Sequence, residues 1–360
     1  MTSKYQILSE NLKKLVITNI ENGIDKLPPE RELCKLFNVS RQTVRSALTL
    51  LEEEKMIKRI VGSGAYITGI IPGVLSNKIA ILISSNSEYI YPALISKLEQ
   101  NFSELGFETF FYITNNNSGT ERKILTDLLS DPPRGIIVEP IHSSIPTPNS
   151  DLFYKIKEKK IPTLFIKGFY SNFSDCIYIK EDNIAGSQLL GNYLLSLAHK
   201  RIAGIFQMDS LSGHEKYLGL SLAMNNAELP FSDDDIFWFN SDLLDNLRQK
   251  NDTRFLVELI SKKLMSYSSI VCQNDEIAYW LIKELNLSKI SVPSDISVVS
   301  FDNSYLSTLS KQRITSLTID GDSFDKVVTQ KFISMLHNKA EHSEQLPWKM
   351  IVGESSIAIG

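Results

Sequence analysis

A chain of 360 residues is too long for one ordinary hydrophobic core, so two or three folding units are expected. Hydrophobic residues make up 42% and charged residues 22%, and no run approaches the ~18 uninterrupted apolar residues of a membrane span, which argues against a helical membrane protein. The formal charge of −4 hides an asymmetry: residues 1–68 hold 11 Lys+Arg against 8 Asp+Glu, and subtraction from the totals of 38 and 42 leaves 27 against 34, so a basic end of net +3 precedes an acidic remainder of net −7.

The basic end reads first as helices. Leu8, Leu12, Leu15 and Asn19/Ile20 recur at helical spacing over residues 4–22, and Asn22-Gly23 marks a stop. Pro28-Pro29 introduces a second helix, because proline is tolerated in a first turn; Leu33, Leu36 and Phe37 are its expected apolar face. Asn38-Val39 makes a short turn, Ser40 is placed as an N-cap, and Val44, Ala47, Leu48 and Leu51 form the buried stripe of a third helix. Lys58 to Val61 and Ala65 to Thr68 then read as strands joined by Gly62-Ser63-Gly64. Three helices and a glycine-tipped hairpin predict a winged helix-turn-helix, an α+β domain over residues 1–68.

The stripe of the third helix fixes what its other face offers. Arg41, Gln42, Arg45, Ser46 and Thr49 point away from the core, and Arg41 and Arg45, at i and i+4, are neighbours. An isolated arginine pair usually marks a solvated face. On a third helix with a wing behind it, the same pair suits bidentate contact with guanine or phosphate, and Ser40 and Thr43 add hydroxyls. Arg31 is positioned for a phosphate, and Lys58-Arg59 with the side-chain-poor tip for the minor groove.

Residues 69–77 interrupt the pattern with Gly69, Pro72 and Gly73 and read as a linker. Beyond them, from 78 to 360, short apolar runs alternate with amphipathic helices: Ile79 to Ile83, a helix near 92–105, Glu108 to Ile113, 120–130, Gly135 to Val138, 150–159. The rhythm continues through Pro162 to Ile166, Ile202 to Phe206, Ile236 to Phe239, Ile270 to Cys272 and Ser297 to Phe301. Buried parallel strands separated by helices predict an α/β domain of two Rossmann-like lobes, which binds ligands beyond the carboxyl ends of its strands. Asn274-Asp275-Glu276 follows one strand and opens a helix, and Asp302 ends another. Carboxylates and amides suit sugar hydroxyls, and Tyr89 and Tyr91 are available to cover an apolar ring face. Read singly, Asp275 is equally a helix N-terminal charge and Asp302 a turn former.

Other chemistries lack their motifs. Cys34, Cys176 and Cys272 are widely separated and read as small core residues, so neither a disulfide framework nor a zinc site is expected. Five histidines show no H-E-x-x-H spacing, no phosphate-binding loop is present, and Gly219-Leu-Ser221-Leu-Ala223 lies within a helical stretch rather than at a nucleophile elbow. No enzyme, metal or cofactor is expected. Met-Thr-Ser-Lys-Tyr-Gln is polar where a secretory signal places its apolar core, so a cytoplasmic protein is expected rather than a transport-type sugar-binding module.

Three strings carry a resemblance. Lys26-Leu-Pro-Pro-Glu30-Arg31-Glu-Leu33, Val39-Ser40-Arg41-Gln-Thr43-Val44-Arg45-Ser-Ala47-Leu48 and Gly62-Ser-Gly64-Ala-Tyr66-Ile67 make residues 4–68 similar to the GntR-family DNA-binding domain, with Glu54-Lys55 and Ala65 as departures. That likeness implies that Arg31, Ser40, Arg41, Gln42, Thr43, Arg45, Gly62, Ser63 and Gly64 face double-stranded operator DNA. Residues 78–337, and more loosely the remainder, resemble the LacI/GalR effector domain, of the periplasmic-binding-protein type I fold. The strings are Lys78-Ile-Ala-Ile-Leu-Ile83, Asp182-Asn183-x-x-Gly186, Asn274-Asp275-Glu276-Ile-Ala278 and Val292-Pro293-x-Asp295-Ile-Ser297-Val-Val-Ser-Phe301-Asp302. This likeness implies that Lys216, Asn274 and Asp302 contact a small effector, with Tyr89 and Glu139 added from the other lobe. Lys216 stands where that family usually has Arg, and an ammonium does not reproduce a bidentate guanidinium grip.

The fusion of the two domains resembles the arabinose-operon repressor group, as do Tyr89-Ile-Tyr91-Pro92, Val138-Glu139-Pro140 and Thr147-Pro148-Asn149. It implies a repressor with a sugar effector, L-arabinose first. Either sign of response, inducer or corepressor, is compatible with these motifs. A homodimer assembled through the C-terminal domain is expected, since one small reading head covers a half-site.

Overall fold

The computed structural model describes residues 4–68, 77–86, 89–173, 175–262, 264–339 and 341–359. Apart from residue 77, the expected linker lies outside them. The first unit is α1 (Lys4–Glu21), α2 (Glu30–Phe37), α3 (Arg41–Glu53), β1 (Ile57–Ile60) and β2 (Gly64–Ile67). Leu8, Leu12, Val16, Leu33, Val44, Leu48 and Leu51 close on Met56 and Ile67 in one core, each such side chain contributing about 1.5–3 kcal/mol on burial. Asn38, in the left-handed conformation with its N–H on Cys34 O, ends α2, and Ser40 Oγ accepts the Thr43 N–H at 3.2 Å to start α3.

Three details differ from the sequence reading. Leu36 is 62% exposed, because the two-turn α2 meets the core through Leu33 and Phe37 and leaves Leu36 beside that stripe. The wing strands begin one residue earlier than expected: the register pairs Ile57 with Ile67 and Ile60 with Gly64, which places Gly64 in β2 rather than in the tip. Of the cysteines only Cys272 is buried; Cys34 and Cys176 are half-buried, and all three are free.

The larger unit continues as β3 (Lys78–Ile83), α4 (Tyr91–Glu104), β4 (Glu108–Ile113), α5 (Ser118–Ser130), β5 (Gly135–Val138), α6 (Ser150–Glu158), β6 (Thr163–Ile166) and β7 (Ile177–Glu181). Then follow α7 (Asn183–Ser196), β8 (Ile202–Gln207), α8 (Leu211–Asn226), β9 (Ile236–Phe239), α9 (Ser241–Lys250), α10 (Arg254–Lys262), β10 (Ser269–Cys272), α11 (Asp275–Leu287) and β11 (Ser297–Phe301). The chain ends with α12 (Tyr305–Leu309), β12 (Thr315–Ile319), α13 (Phe324–Leu336), β13 (Glu344–Leu346) and β14 (Trp348–Ile351).

Two six-stranded sheets result, ordered β13-β7-β6-β5-β3-β4 and β14-β12-β11-β10-β8-β9. The first is parallel throughout; the second is parallel except that β14 runs antiparallel to β12. Expected as a buried run, β4 is instead a sheet edge, and Phe110 is left 41% exposed.

The chain crosses between lobes three times: after β7, after β12 and after β13. Two backbone bonds tie these crossings side by side, Asp182 N–H to Leu346 O at 2.9 Å and Asp320 N–H to Pro347 O at 2.8 Å. Gly186 leaves room there for the Trp348 indole, since a Cβ would lie 2.3 Å from Trp348 Cδ1. Each sheet reverses strand order at its first strand, between β3 and β5 and between β8 and β10. The loops leaving those strands therefore converge on one crevice.

Candidate functional site

All five residues expected to contact an effector line that crevice, which opens to solvent. Tyr89 leaves the end of β3 and Glu139 the end of β5; Asn274 and Asp302 follow β10 and β11, and Lys216 comes from α8.

On the first lobe Glu139 is held from three directions. Its Oε2 accepts the Ser84 N–H at 2.8 Å and the Ser84 hydroxyl at 2.9 Å, and its Oε1 accepts the Tyr91 hydroxyl at 2.8 Å. Tyr91 thus serves as a buried hydroxyl donor as well as an aromatic wall. Tyr89 carries φ 87°, and its hydroxyl donates across the cleft to Asp302 Oδ2. Burial, then the Asp302 charge, pushes the Tyr89 phenol well above its ordinary pKa, so it remains a proton donor.

On the second lobe Lys216 is 4% exposed. Its Nζ donates to Gln273 O at 2.7 Å and sits 4.0 Å from the Phe301 ring centroid. Burial lowers its pKa to about 8, partly opposed by Asp302 and Glu181. Asn274 caps α11 by accepting the Ile277 N–H at 3.1 Å.

The sequence reading missed several partners. Lys167, after β6, pairs with Glu181 at 3.6 Å at the first crossing. Arg248 on α9 forms a bidentate pair with Glu276 of α11, its Nη2 2.6 Å from Oε2. Two further contacts span the lobes: His142 Nδ1 with Asp209 Oδ2 at 3.1 Å, and the Leu211 N–H to Ser143 Oγ at 2.9 Å. Strand-end position was the available signal for Asp209; nothing local marked Arg248. Among the described residues no group of three His, Cys, Asp or Glu side chains is arranged to hold a metal ion, and no helix is long and apolar enough to cross a membrane.

The reading head presents a second candidate surface. Arg41, Gln42 and Arg45 are exposed on α3 away from its buried stripe, and Arg31 is exposed in the first turn of α2. Glu30 bridges the two arginines, with Oε2 3.0 Å from Arg41 Nε and 3.1 Å from Arg45 Nε. Slight burial opposes ionisation of Glu30, but the two guanidiniums hold its carboxyl below the usual range. The two guanidiniums are thereby held side by side. Ser40 and Thr43 share a hydroxyl bond at 2.8 Å; Gly62 and Ser63 at the tip and Gly64 at the start of β2 are exposed, and Ser63 bonds the Tyr66 hydroxyl at 2.7 Å. Arg59, expected near the minor groove, pairs with Glu52 at 2.6 Å.

A winged helix with a basic reading face, joined to a bilobed domain with a polar crevice, defines a ligand-responsive DNA-binding transcription regulator. Residues 4–67 match the family of bacterial regulatory proteins named gntR, and residues 192–356 match a periplasmic binding protein-like domain. The chain is 30% identical over 325 residues to the arabinose metabolism transcriptional repressor of Halalkalibacterium halodurans, covering 88% of this chain and 85% of that protein. It is 28% identical to the protein of the same name from Geobacillus stearothermophilus, covering 94% and 92%. A periplasmic binding protein/LacI transcriptional regulator from Alkaliphilus metalliredigens, solved with D-xylulofuranose, shares the fold of the larger unit: TM-score 0.64 at 19% identity, over 78% of this chain and all of that one. The protein belongs to the GntR family of bacterial regulatory proteins and carries a LacI-type effector domain.

Proposed function

We propose that this protein is a repressor that grips operator DNA as a homodimer and is released when a neutral monosaccharide, L-arabinose first, closes its lobes. The arrangement of the crevice carries this reading: Tyr89 and Glu139 enter from one lobe, Lys216, Asn274 and Asp302 from the other, all around one space. A ligand touching both sets is bound best when the lobes are closed, which makes closure the element that binding shifts. The lining holds four carboxylates, Glu139, Glu181, Asp209 and Asp302, against three cations, Lys167, Lys216 and Arg248. That balance favours polyhydroxylated neutral ligands over sugar phosphates or sugar acids. The names of the two curated relatives direct the choice to arabinose. Arg41 and Arg45 supply the base contacts, Arg31 a phosphate contact, and two heads reading half-sites about one helical turn apart respond to small changes in spacing.

Operator affinity measured with and without a panel of pentoses and hexoses tests the effector. Release by a neutral sugar is expected; tightening would reverse the sign of the response. Asp302→Ala should leave operator binding intact and abolish release, and a variant that still responds with parental affinity would remove the crevice from the mechanism.

A further inference from the structure

The side chain of Asp275 is fully buried, lies outside the lining of the crevice, and forms no ion pair among the described residues. At the start of α11 it would ordinarily serve the helix's own free amides. That task is already taken by Asn274, whose Oδ1 accepts the Ile277 N–H. The Asp275 carboxylate turns instead toward the neighbouring strands. Its Oδ1 accepts the hydroxyls of Ser300 on β11 and Ser316 on β12, the latter at 2.6 Å, and its Oδ2 accepts the Ser304 N–H at 2.5 Å. Ser316 Oγ, whose hydroxyl donates to Asp275, accepts the Asn303 N–H at 3.0 Å. The two amides that follow Asp302 therefore end on one buried pair of side chains.

The backbone they restrain is unusual. Asp302 has φ 93° and Asn303 φ 42°, consecutive non-glycine residues in the left-handed half of conformational space. Such backbone persists where its surroundings over-determine it. Burial, then the nearby Asp302 charge, raises the Asp275 carboxyl to about 7, so the fold keeps this group at an energetic cost.

We propose that Asp275, with Ser316, is the positioning device of the effector site: it pins the Asp302-Asn303-Ser304 bend so that the Asp302 carboxylate projects into the crevice. Asp275 acts through the backbone and touches no ligand. The inference rests on the reading that Asp302 contacts the sugar.

Full-length Asp275→Asn, Ser316→Ala and Asp302→Ala test it, each titrated calorimetrically with L-arabinose and a panel of other pentoses and hexoses, and separately with operator. Hydrogen exchange of the Asn303 and Ser304 amides is followed in parallel. Asp275→Asn turns an amide donor toward the Ser304 N–H or toward the serine hydroxyls. It should expose the two amides to exchange and weaken sugar binding at least tenfold, with operator affinity within twofold of the parent. Ser316→Ala, which keeps the buried carboxylate, should produce a smaller loss of the same kind and guards against a folding defect in the first variant. Parental exchange at both amides in both variants overturns the proposal, as does a parallel loss of operator and sugar affinity in both. If Asp302→Ala abolishes sugar binding while Asp275→Asn retains it, the positioning role alone falls. If Asp302→Ala binds every sugar as the parent does, the reading of the crevice falls and the positioning role with it.

Discussion

Replacing Lys216 by methionine should make the protein more stable and unresponsive to sugar. The ammonium is buried, and its pKa falls from 10.5 to about 8, so the folded state disfavours the charge by about 3 kcal/mol at neutral pH. Methionine has similar length, and its thioether suits the Phe301 ring that now lies 4.0 Å from Nζ. Against this gain stands the lost bond to Gln273 O, about 1–2 kcal/mol once the carbonyl is left without its donor. A net stabilisation of about 1–2 kcal/mol remains. Because the folded pKa is depressed, the parent gains stability as pH rises from about 8 toward 10.5, where its lysine becomes neutral in the fold, whereas Lys216→Met does not. The penalty on the parent should therefore fall to about 1 kcal/mol by pH 10, and the advantage of the variant seen at pH 7 should be lost there. Urea unfolding of both proteins at the two pH values, with sugar titration at pH 7, measures each part. A variant less stable than the parent at pH 7, or a stability gap unchanged by pH, would refute the reasoning.

The remaining predictions concern DNA and assembly. Arg41→Ala and Arg45→Ala should each weaken cognate operator binding by about 1–3 kcal/mol at fixed salt and leave sugar titration unchanged; parental operator affinity would remove α3 as the reading helix. Arg31→Ala should weaken cognate and random DNA alike and flatten the dependence on log salt by about one, and a loss confined to the cognate sequence would contradict a phosphate role. A protein lacking residues 1–77 should sediment as a dimer at micromolar concentration, with a monomer counting against assembly through the C-terminal domain.

Elements that repeat a local pattern could be read from the residues alone. Val44, Ala47, Leu48 and Leu51 are buried as their spacing implied, Ser40 caps α3, and the apolar runs from Ile79 to Phe301 became strands of two sheets. Period and capping are properties of a few consecutive residues, so the chain declares them without help. Strand-end position was legible for the same reason: Asn274 and Asp302 each follow a recognisable strand, and the doubly wound topology brings such ends together, whereas Glu139 was reached only through the family resemblance.

What lay beyond the sequence were pairings between distant segments. No pattern announced that Glu30 would bridge Arg41 and Arg45, that Arg248 would clasp Glu276, or that Tyr89 would reach Asp302 across 213 positions. Likewise α13 returns to the first lobe, where Phe332 packs against Phe102, and β14 comes back to the second as an antiparallel edge. Asp275 is the sharpest case: at a helix start its identity fits a dipole argument, and only the arrival of Ser300, Ser304 and Ser316 from later strands and loops turns it toward the bend behind Asp302. A side chain's rotamer and partners follow from which elements the topology packs beside it, and that is decided by the burial of the whole domain rather than by its neighbours in the chain.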